Sequence, residues 1–435
     1  MLQPRGPDMT GAFEQPTVAL VGTLDTKGAE YEWVAAQLAG HGVGVLVLDA
    51  GTRPAAGRPA ALSPGASASA IGPDEVAAAA GTSIAALREG NDRGVAVTAM
   101  GEGAAAVLGP LVARGAVHGV LALGGSGGSS IAARAVRDLP IGLPKLIVST
   151  MAAGDVSPYV GAADVTMMYS VVDIAGINQI SRAILGNAAA GIAAMASAYA
   201  RREPAADDRP LVAASMFGVT TPAVEAARAR LEELGYEVLV FHATGSGGRA
   251  LEGLARSGLL AGVLDLTTTE LADDLVGGVL TAGPDRLTAA GAAGLPQVVS
   301  LGALDMVNFG PRDTVPPAFA DRQFFVHNPT VTLMRTTPAE NAELGRRIGD
   351  KLAAAAGPAV LVVPRGGVSA LDAPEMPFQD AEASAALFDA VLGAVAGSGV
   401  EVVDSPLHIN DAELAVAAAD RLHALVAARS ARVEA

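Results

Sequence analysis

Short apolar runs alternate with stretches of helical periodicity along almost the whole chain. In the first half, the runs at 17–21, 43–48, 119–123 and 145–149 read as strands, and helical patterns lie at 29–39, across 82–115 with interruptions, at 130–138 and at 180–200. In the second half, strands are predicted at 211–216, 237–241, 262–266, 297–301 and 359–363. Helices are predicted there at 222–234, 249–256, 270–276, 338–356, 381–395 and 411–428. Strands that are apolar throughout and alternate with helices point to a parallel sheet covered on both faces. The expected class is therefore α/β, with mainly parallel sheets flanked by helices.

The segment 201–210, RREPAADDRP, is charged, carries two prolines and separates the two alternations. A chain of 435 residues is too long for one ordinary core. We therefore expect an N-terminal Rossmann-like domain at 16–203, a linker at 204–210 and a C-terminal Rossmann-like domain at 211–435, with a cleft between the domains. Residues 1–15 read as a disordered tail, and 52–73, rich in Pro, Ala, Gly and Ser, as a surface excursion. Both halves begin with strand, Thr/Gly loop, helix, glycine and strand, at 18–49 and 212–242. This is either kinship between the domains or the common grammar of α/β units. The last helix either completes the second domain or packs back on the first.

Composition narrows the function. Apolar residues make up 51% of the chain but aromatics only 3%, and glycine is abundant, which suits helices packed closely on sheets. The net charge of −16 opposes nucleic-acid backbones and anionic membranes, so neither is an expected partner. A small anionic ligand stays open, because a few local cations and glycine loops override a distant field. With no cysteine, disulfides, thiolate metal ligands and a Cys nucleophile are excluded, and a reducing cytoplasm is the expected setting. No apolar segment follows basic residues at the N-terminus. The stretch 183–200 is expected to be a buried alanine-rich helix, because a membrane span needs about 20 strongly apolar residues.

Chemistry-bearing residues collect where strands end. LGGSGGSS at 123–130 places Gly124, Gly125, Ser126, Gly127, Gly128 and Ser129 between a strand and a helix. Glycines let a ligand approach the backbone, and a helix N-terminus favours an anion. The spacing is neither a P-loop nor the dinucleotide fingerprint. GTLDTKG at 22–28 offers the Thr23 and Thr26 hydroxyls and the Lys27 cation to a phosphate. Asp25 there is suited to proton transfer, to holding Mg²⁺ through water, or to capping the helix. HATGSGGR at 242–249 repeats the idea: His242 is an acid–base candidate, and Thr244, Gly245, Ser246, Gly247, Gly248 and Arg249 are anion-binding candidates. DLTTTE at 265–270 adds Asp265 as a second water-mediated Mg²⁺ candidate, Thr267, Thr268 and Thr269 as donors or caps, and Glu270 as a proton-transfer group. Arg335 is a candidate anion clamp. Thr337, Pro338 and Glu340 have the spacing of a capping box with proline at the first helical position.

Together with STM at 149–151, GDVSPY at 154–159, MFGVTTP at 216–222 and DMVNFG at 305–310, these motifs cover about residues 16–425. They resemble a largely uncharacterised bacterial and fungal family similar to the N-terminal, ATP-binding region of the tomato mosaic virus resistance protein, an inhibitor of viral RNA replication. The resemblance implies two Rossmann-like domains, a nucleotide site and a homodimer. It implies no reaction. The plant protein's further C-terminal barrel has no counterpart here, so antiviral activity is not expected to carry over. Ser246 stands where the family pattern leads us to expect Thr, a change that keeps the hydroxyl.

The leading expectation is a protein that binds ATP or a related nucleotide in the cleft between the domains, where the 124–129 and 245–249 loops face the anion, Lys27, Arg249 and Arg335 balance its charge, and Mg²⁺ is an accompanying ion. The second is an enzyme, a lyase or hydrolase, that acts on a small carboxylate or carbonyl metabolite through His242, Asp25 and Glu270. The third is an interaction protein regulated by its nucleotide.

Overall fold

The computed structural model describes residues 15–53, 68–202 and 209–434. The expected tail apart from Gln15, most of the 52–73 excursion and most of the linker lie outside the described residues. The chain divides into two compact units, Met1–Ala205 and Ala206–Ala435.

The first unit is built on six parallel strands: β1 (Thr17–Gly22), β2 (Gly44–Asp49), β3 (Ala68–Ile71), β4 (Gly119–Gly124), β5 (Lys145–Ser149) and β6 (Thr166–Tyr169). Their order is β3-β2-β1-β4-β5-β6. The winding reverses between β1 and β4, so a crevice opens beyond their carboxyl ends. Among the described residues, seven α-helices accompany the sheet: α1 (Leu24–Gly40), α2 (Pro73–Ala79), α3 (Ile84–Gly90), α4 (Arg93–Ala113), α5 (Ser126–Val136), α6 (Ser157–Val160) and α7 (Gln179–Ala200).

Strand periodicity sorts these helices into two layers. Val18, Leu20, Val45, Val47, Leu121 and Leu123 pack against α1 and α7. Their sequence neighbours Ala19, Val21, Leu46, Leu48, Val120 and Ala122 pack against α2–α5. By length and composition α4 and α7 could each cross a membrane. Both instead contribute to these cores, α4 through Met100, Ala104 and Leu108 and α7 through Leu185, Ala188 and Ile192.

The second unit carries a six-stranded parallel sheet of β7 (Leu211–Met216), β8 (Glu237–His242), β9 (Leu260–Thr267), β10 (Gln297–Gly302), β14 (Ala359–Pro364) and β15 (Glu401–Ser405). A small antiparallel sheet of β11 (Met306–Phe309), β12 (Phe324–Asn328) and β13 (Val331–Arg335) is inserted after β10. The helices are α8 (Thr221–Glu233), α9 (Ser246–Arg256), α10 (Glu270–Val276), α11 (Ala289–Ala292), α12 (Pro338–Ala353), α13 (Ala381–Val395) and α14 (Ala412–Glu434). The large sheet runs β15-β14-β10-β9-β7-β8. The two domains therefore share a doubly wound parallel plan but not a strand order. In the first, the third strand lies outside the second; in the second, it has crossed to the other side of the first.

The expected capping box at the start of α12 is present: Thr337 Oγ1 accepts the Glu340 N–H and the Glu340 carboxylate accepts the Thr337 N–H. The last helix, α14, packs on α8 and β9 of its own unit, with Leu414, Ala418 and Leu422 in that core.

Candidate functional site

In the first domain the loops that follow β1, β2 and β4 surround a cavity of about 560 Å³. It lies at the reversal of strand order, the expected ligand position in an open α/β sheet. From the β1 loop, Thr23, Asp25, Thr26 and Lys27 line it. Thr23 and Thr26 share a hydroxyl contact of 2.9 Å. Asp25 accepts the Arg53 N–H at 2.7 Å through Oδ2, while its buried Oδ1 has no hydrogen-bond partner among the described residues. The Lys27 ammonium donates to the Ile174 carbonyl and makes no ion pair among the described residues.

From the β4 loop, Gly125, Ser126, Gly127 and Gly128 line the cavity. Gly125 is the N-cap of α5 and brings no side chain, so the first-turn N–H groups receive no side-chain cap. Gly124 ends β4 itself, where a Cβ would stand 2.9 Å from the Gly128 Cα. Ser129, grouped with this loop in the sequence, points the other way: it is fully buried and its Oγ lies 2.6 Å from Ser149 Oγ. It braces α5 on β5 and is not available to a ligand.

Three further cations line the same cavity and were not singled out from the sequence: Arg53, Arg88 and Arg93. Arg93 is the first residue of α4, after the N-cap Asp92, and its Nη2 lies 3.2 Å from where a Cβ on Gly127 would stand. A cation at the N-terminus of one helix and beside the N-terminus of another opposes both dipoles. Only its place directly after Asp92, a capping residue, was legible in the sequence; its place beside α5 was not. Lys27, Arg53, Arg88 and Arg93 thus meet on one cavity, against the carboxylates of Asp25 and Asp92, in a chain of net charge −16.

The second domain's motif residues are also brought together, but around a cation of the chain's own. Arg286 is fully buried. It donates to both oxygens of Asp265 at 2.5 and 2.7 Å, to Glu270 at 2.6 Å and to Glu252 at 3.3 Å. The surrounding carboxylates hold its guanidinium charged against the cost of burial. Glu270 also accepts the N–H groups of Gly245, at 2.6 Å, and Gly248, at 3.0 Å.

This geometry corrects the sequence reading of the second glycine loop at those two amides, because the anion on the N-terminus of α9 is the protein's own carboxylate. Gly248 is required there, since a Cβ would stand 2.0 Å from Glu270 Oε2. Glu270 and Asp265 are likewise spent on Arg286 and are not free to move a proton or hold Mg²⁺ through water. Thr267 and Thr268 are buried in strand-end hydrogen bonds to Thr220 and to the Ser300 carbonyl, and Thr269 accepts from Asn308. Arg249 is exposed and donates to the Thr281 carbonyl, while Thr244 bonds back to the His242 carbonyl. Ser246 and His242 are exposed, Gly247 packs on the His242 carbonyl, and His242 ends an edge strand. Arg335 is buried on the Phe378 carbonyl and Thr336, 3.5 Å from Asp372.

The fold and the first-domain cavity define a two-domain, doubly wound α/β protein with an open, cation-lined crevice in its first domain. The chain belongs to the uncharacterised protein family UPF0261: its N-terminal domain matches residues 16–201 and its C-terminal domain residues 209–426. A UPF0261 protein of Clostridium tetani is 48% identical over 93% of this chain and 98% of its own length. A second, from Rhizobium meliloti, is 48% identical over 92% of this chain and 97% of its own length. The ToMV resistance protein Tm-1(GCR237) of Solanum lycopersicum is 47% identical over 69% of this chain and 41% of its own length.

Proposed function

We propose that this protein binds ATP or a related phosphorylated nucleotide in the crevice of its first domain. The observation that carries the reading is the gathering of Lys27, Arg53, Arg88 and Arg93 on one cavity, with no carboxylate side chain paired to any of them among the described residues. Four like charges on one cavity repel one another unless an anion lies between them. The uncapped α5 N-terminus supplies backbone donors, and its glycines let phosphate oxygens reach them. A volume of about 560 Å³ is the size of a small-molecule site. Apolar side chains of Val97, Met100 and Ile131 line the cavity as well and suit a base. Asp25 lines the same cavity and is the carboxylate we assign to Mg²⁺-bound water.

Calorimetric titration with ATP tests the reading. The wild type should bind, Lys27→Ala and Arg93→Ala should each weaken binding about tenfold or more, and the affinity should fall steeply with salt. No binding by the wild type, or unchanged affinity in both variants, would reject it.

A further inference from the structure

The cavity offers two cationic stations, and their spacing bears on the ligand. This step rests on the anion-site reading above. In a sheet wound in the order of the first domain, the residue that ends the second strand commonly faces the ribose of a bound nucleotide. An acid there takes the ribose hydroxyls, and an arginine nearby takes a phosphate on them. Here that residue is Asp49, and it is already engaged. Its Oδ1 accepts the Leu24 N–H at 3.2 Å and the Gly51 N–H at 2.8 Å, and the residue is only 7% exposed.

The end of β2 presents a guanidinium instead. Arg88 Nε donates to the Thr52 carbonyl at 2.5 Å and Nη2 to the Arg53 carbonyl at 2.9 Å. These two bonds fix its charge above the residues that follow β2, and no carboxylate pairs with it among the described residues. Arg93 stands elsewhere, over Gly127 in the first turn of α5, the helix that follows β4. The sheet order puts β1 between β2 and β4, so the two stations stand beyond strands that are not neighbours. Phosphates on opposite sides of a ribose suit that separation better than neighbouring phosphates in one chain.

We propose that the cavity takes a nucleoside bisphosphate, with one phosphate on the α5 N-terminus under Arg93 and the second on Arg88 beyond β2. Asp49 then serves to cap α1, and the ribose is read through the phosphate it carries.

The test is calorimetric titration of the full chain with AMP, ATP and the 2′,5′- and 3′,5′-bisphosphates of adenosine. At least one bisphosphate should bind about tenfold or more tighter than AMP, and Arg88→Met should weaken that bisphosphate by a larger factor than it weakens AMP, closing the gap between them. Arg93→Met should weaken AMP and the bisphosphate by the same factor. Because Arg88 also braces the loop at 52–53, thermal melting accompanies the variant; the comparison of ligands on the wild type needs no variant at all. Bisphosphates that bind no tighter than AMP would overturn the two-station arrangement and leave the anion site standing. Failure of every nucleotide to bind would overturn both.

Discussion

The phenol oxygen of Tyr31 fills the space that a side chain at Gly22 would need. A Cβ there would stand 1.9 Å from the Tyr31 oxygen and 2.1 Å from Cζ. The hydroxyl lies 2.6 Å from the Val21 carbonyl and 2.9 Å from that of Leu123, and it accepts the Leu123 N–H at 2.8 Å. Tyr31 thus wedges from α1 between the ends of β1 and β4, the two strands that flank the crevice. Gly22→Ala should destabilise the protein by about 1–3 kcal/mol through overpacking. Tyr31→Phe should cost a similar amount by orphaning a buried N–H. The double variant should not recover, because the ring carbon clashes as well as the oxygen. Denaturant midpoints of the three variants check this, and recovery in the double variant would show that the hydroxyl alone sets the constraint.

Gly124 and Gly125 are neighbours with different tolerances. A Cβ on Gly124 meets backbone, 2.9 Å from the Gly128 Cα and 3.0 Å from its carbonyl carbon. A Cβ on Gly125 meets only the Thr150 hydroxyl oxygen at 3.6 Å, ordinary contact distance. Gly124→Ala must therefore push the α5 N-terminus away from the strand, whereas Gly125→Ala leaves it in place. Titration with ATP should show a loss of about tenfold or more in the first and little change in the second. Equal affinities in the two would mean that the α5 amides do not hold the ligand.

Arg286 is the buried hub of the second domain, and its removal should be severe. Replacing it with Met leaves Asp265, Glu270 and Glu252 facing one another without their cation. Loss of one partner of a buried ion cluster typically costs about 3–5 kcal/mol. Glu270→Gln keeps an acceptor for the Gly245 and Gly248 amides and should cost less. Thermal melting of both variants tests the order, and a milder effect for Arg286→Met would show that the carboxylates are held by the backbone amides alone.

The legible part of this molecule was local. Apolar runs marked all nine strands read from the sequence to within about two residues at either end, and the Thr337–Glu340 capping box was read from residues three apart. The edge strands β3 and β6, with the sequences ASAI and TMMY, are short and not continuously apolar, so they resemble loops. The small antiparallel sheet escaped because its strands, four or five residues long, sit among proline, glycine and charged residues. The site divided in the same way. Glycine loops at strand ends were visible because a tight turn is a local demand. That Glu270 fills one of them depends on Arg286, 16 residues farther along, and on a fold that brings both to the Gly245 amide. Arg93 lies 34 residues before Gly127, and no spacing rule joins them.

The last prediction concerns pH. Asp305 is fully buried in the turn after β10; its Oδ2 accepts from Ser369 Oγ at 2.7 Å, and its Oδ1 has no hydrogen-bond partner among the described residues. Burial, and then the charge of Asp372, push its carboxyl up to about 7 against the opposing pull of Arg335 and the Ser369 hydrogen bond. Asp372 is itself raised by burial, with Arg335 and His408 pulling it down. A carboxyl raised on folding holds its proton in the native state over a range where the unfolded chain has lost it. Its contribution to stability is therefore complete below about pH 4 and is lost as the pH rises to about 7, by at most about 1.4 kcal/mol per pH unit. This is the reverse of the usual trend for a paired aspartate. Asp305→Asn removes the titration, so the stability of the variant relative to the wild type should rise between pH 5 and pH 7 and then level off. Urea denaturation across that range measures it. A wild-type minus variant difference that stays constant with pH would place the Asp305 proton outside the folding equilibrium.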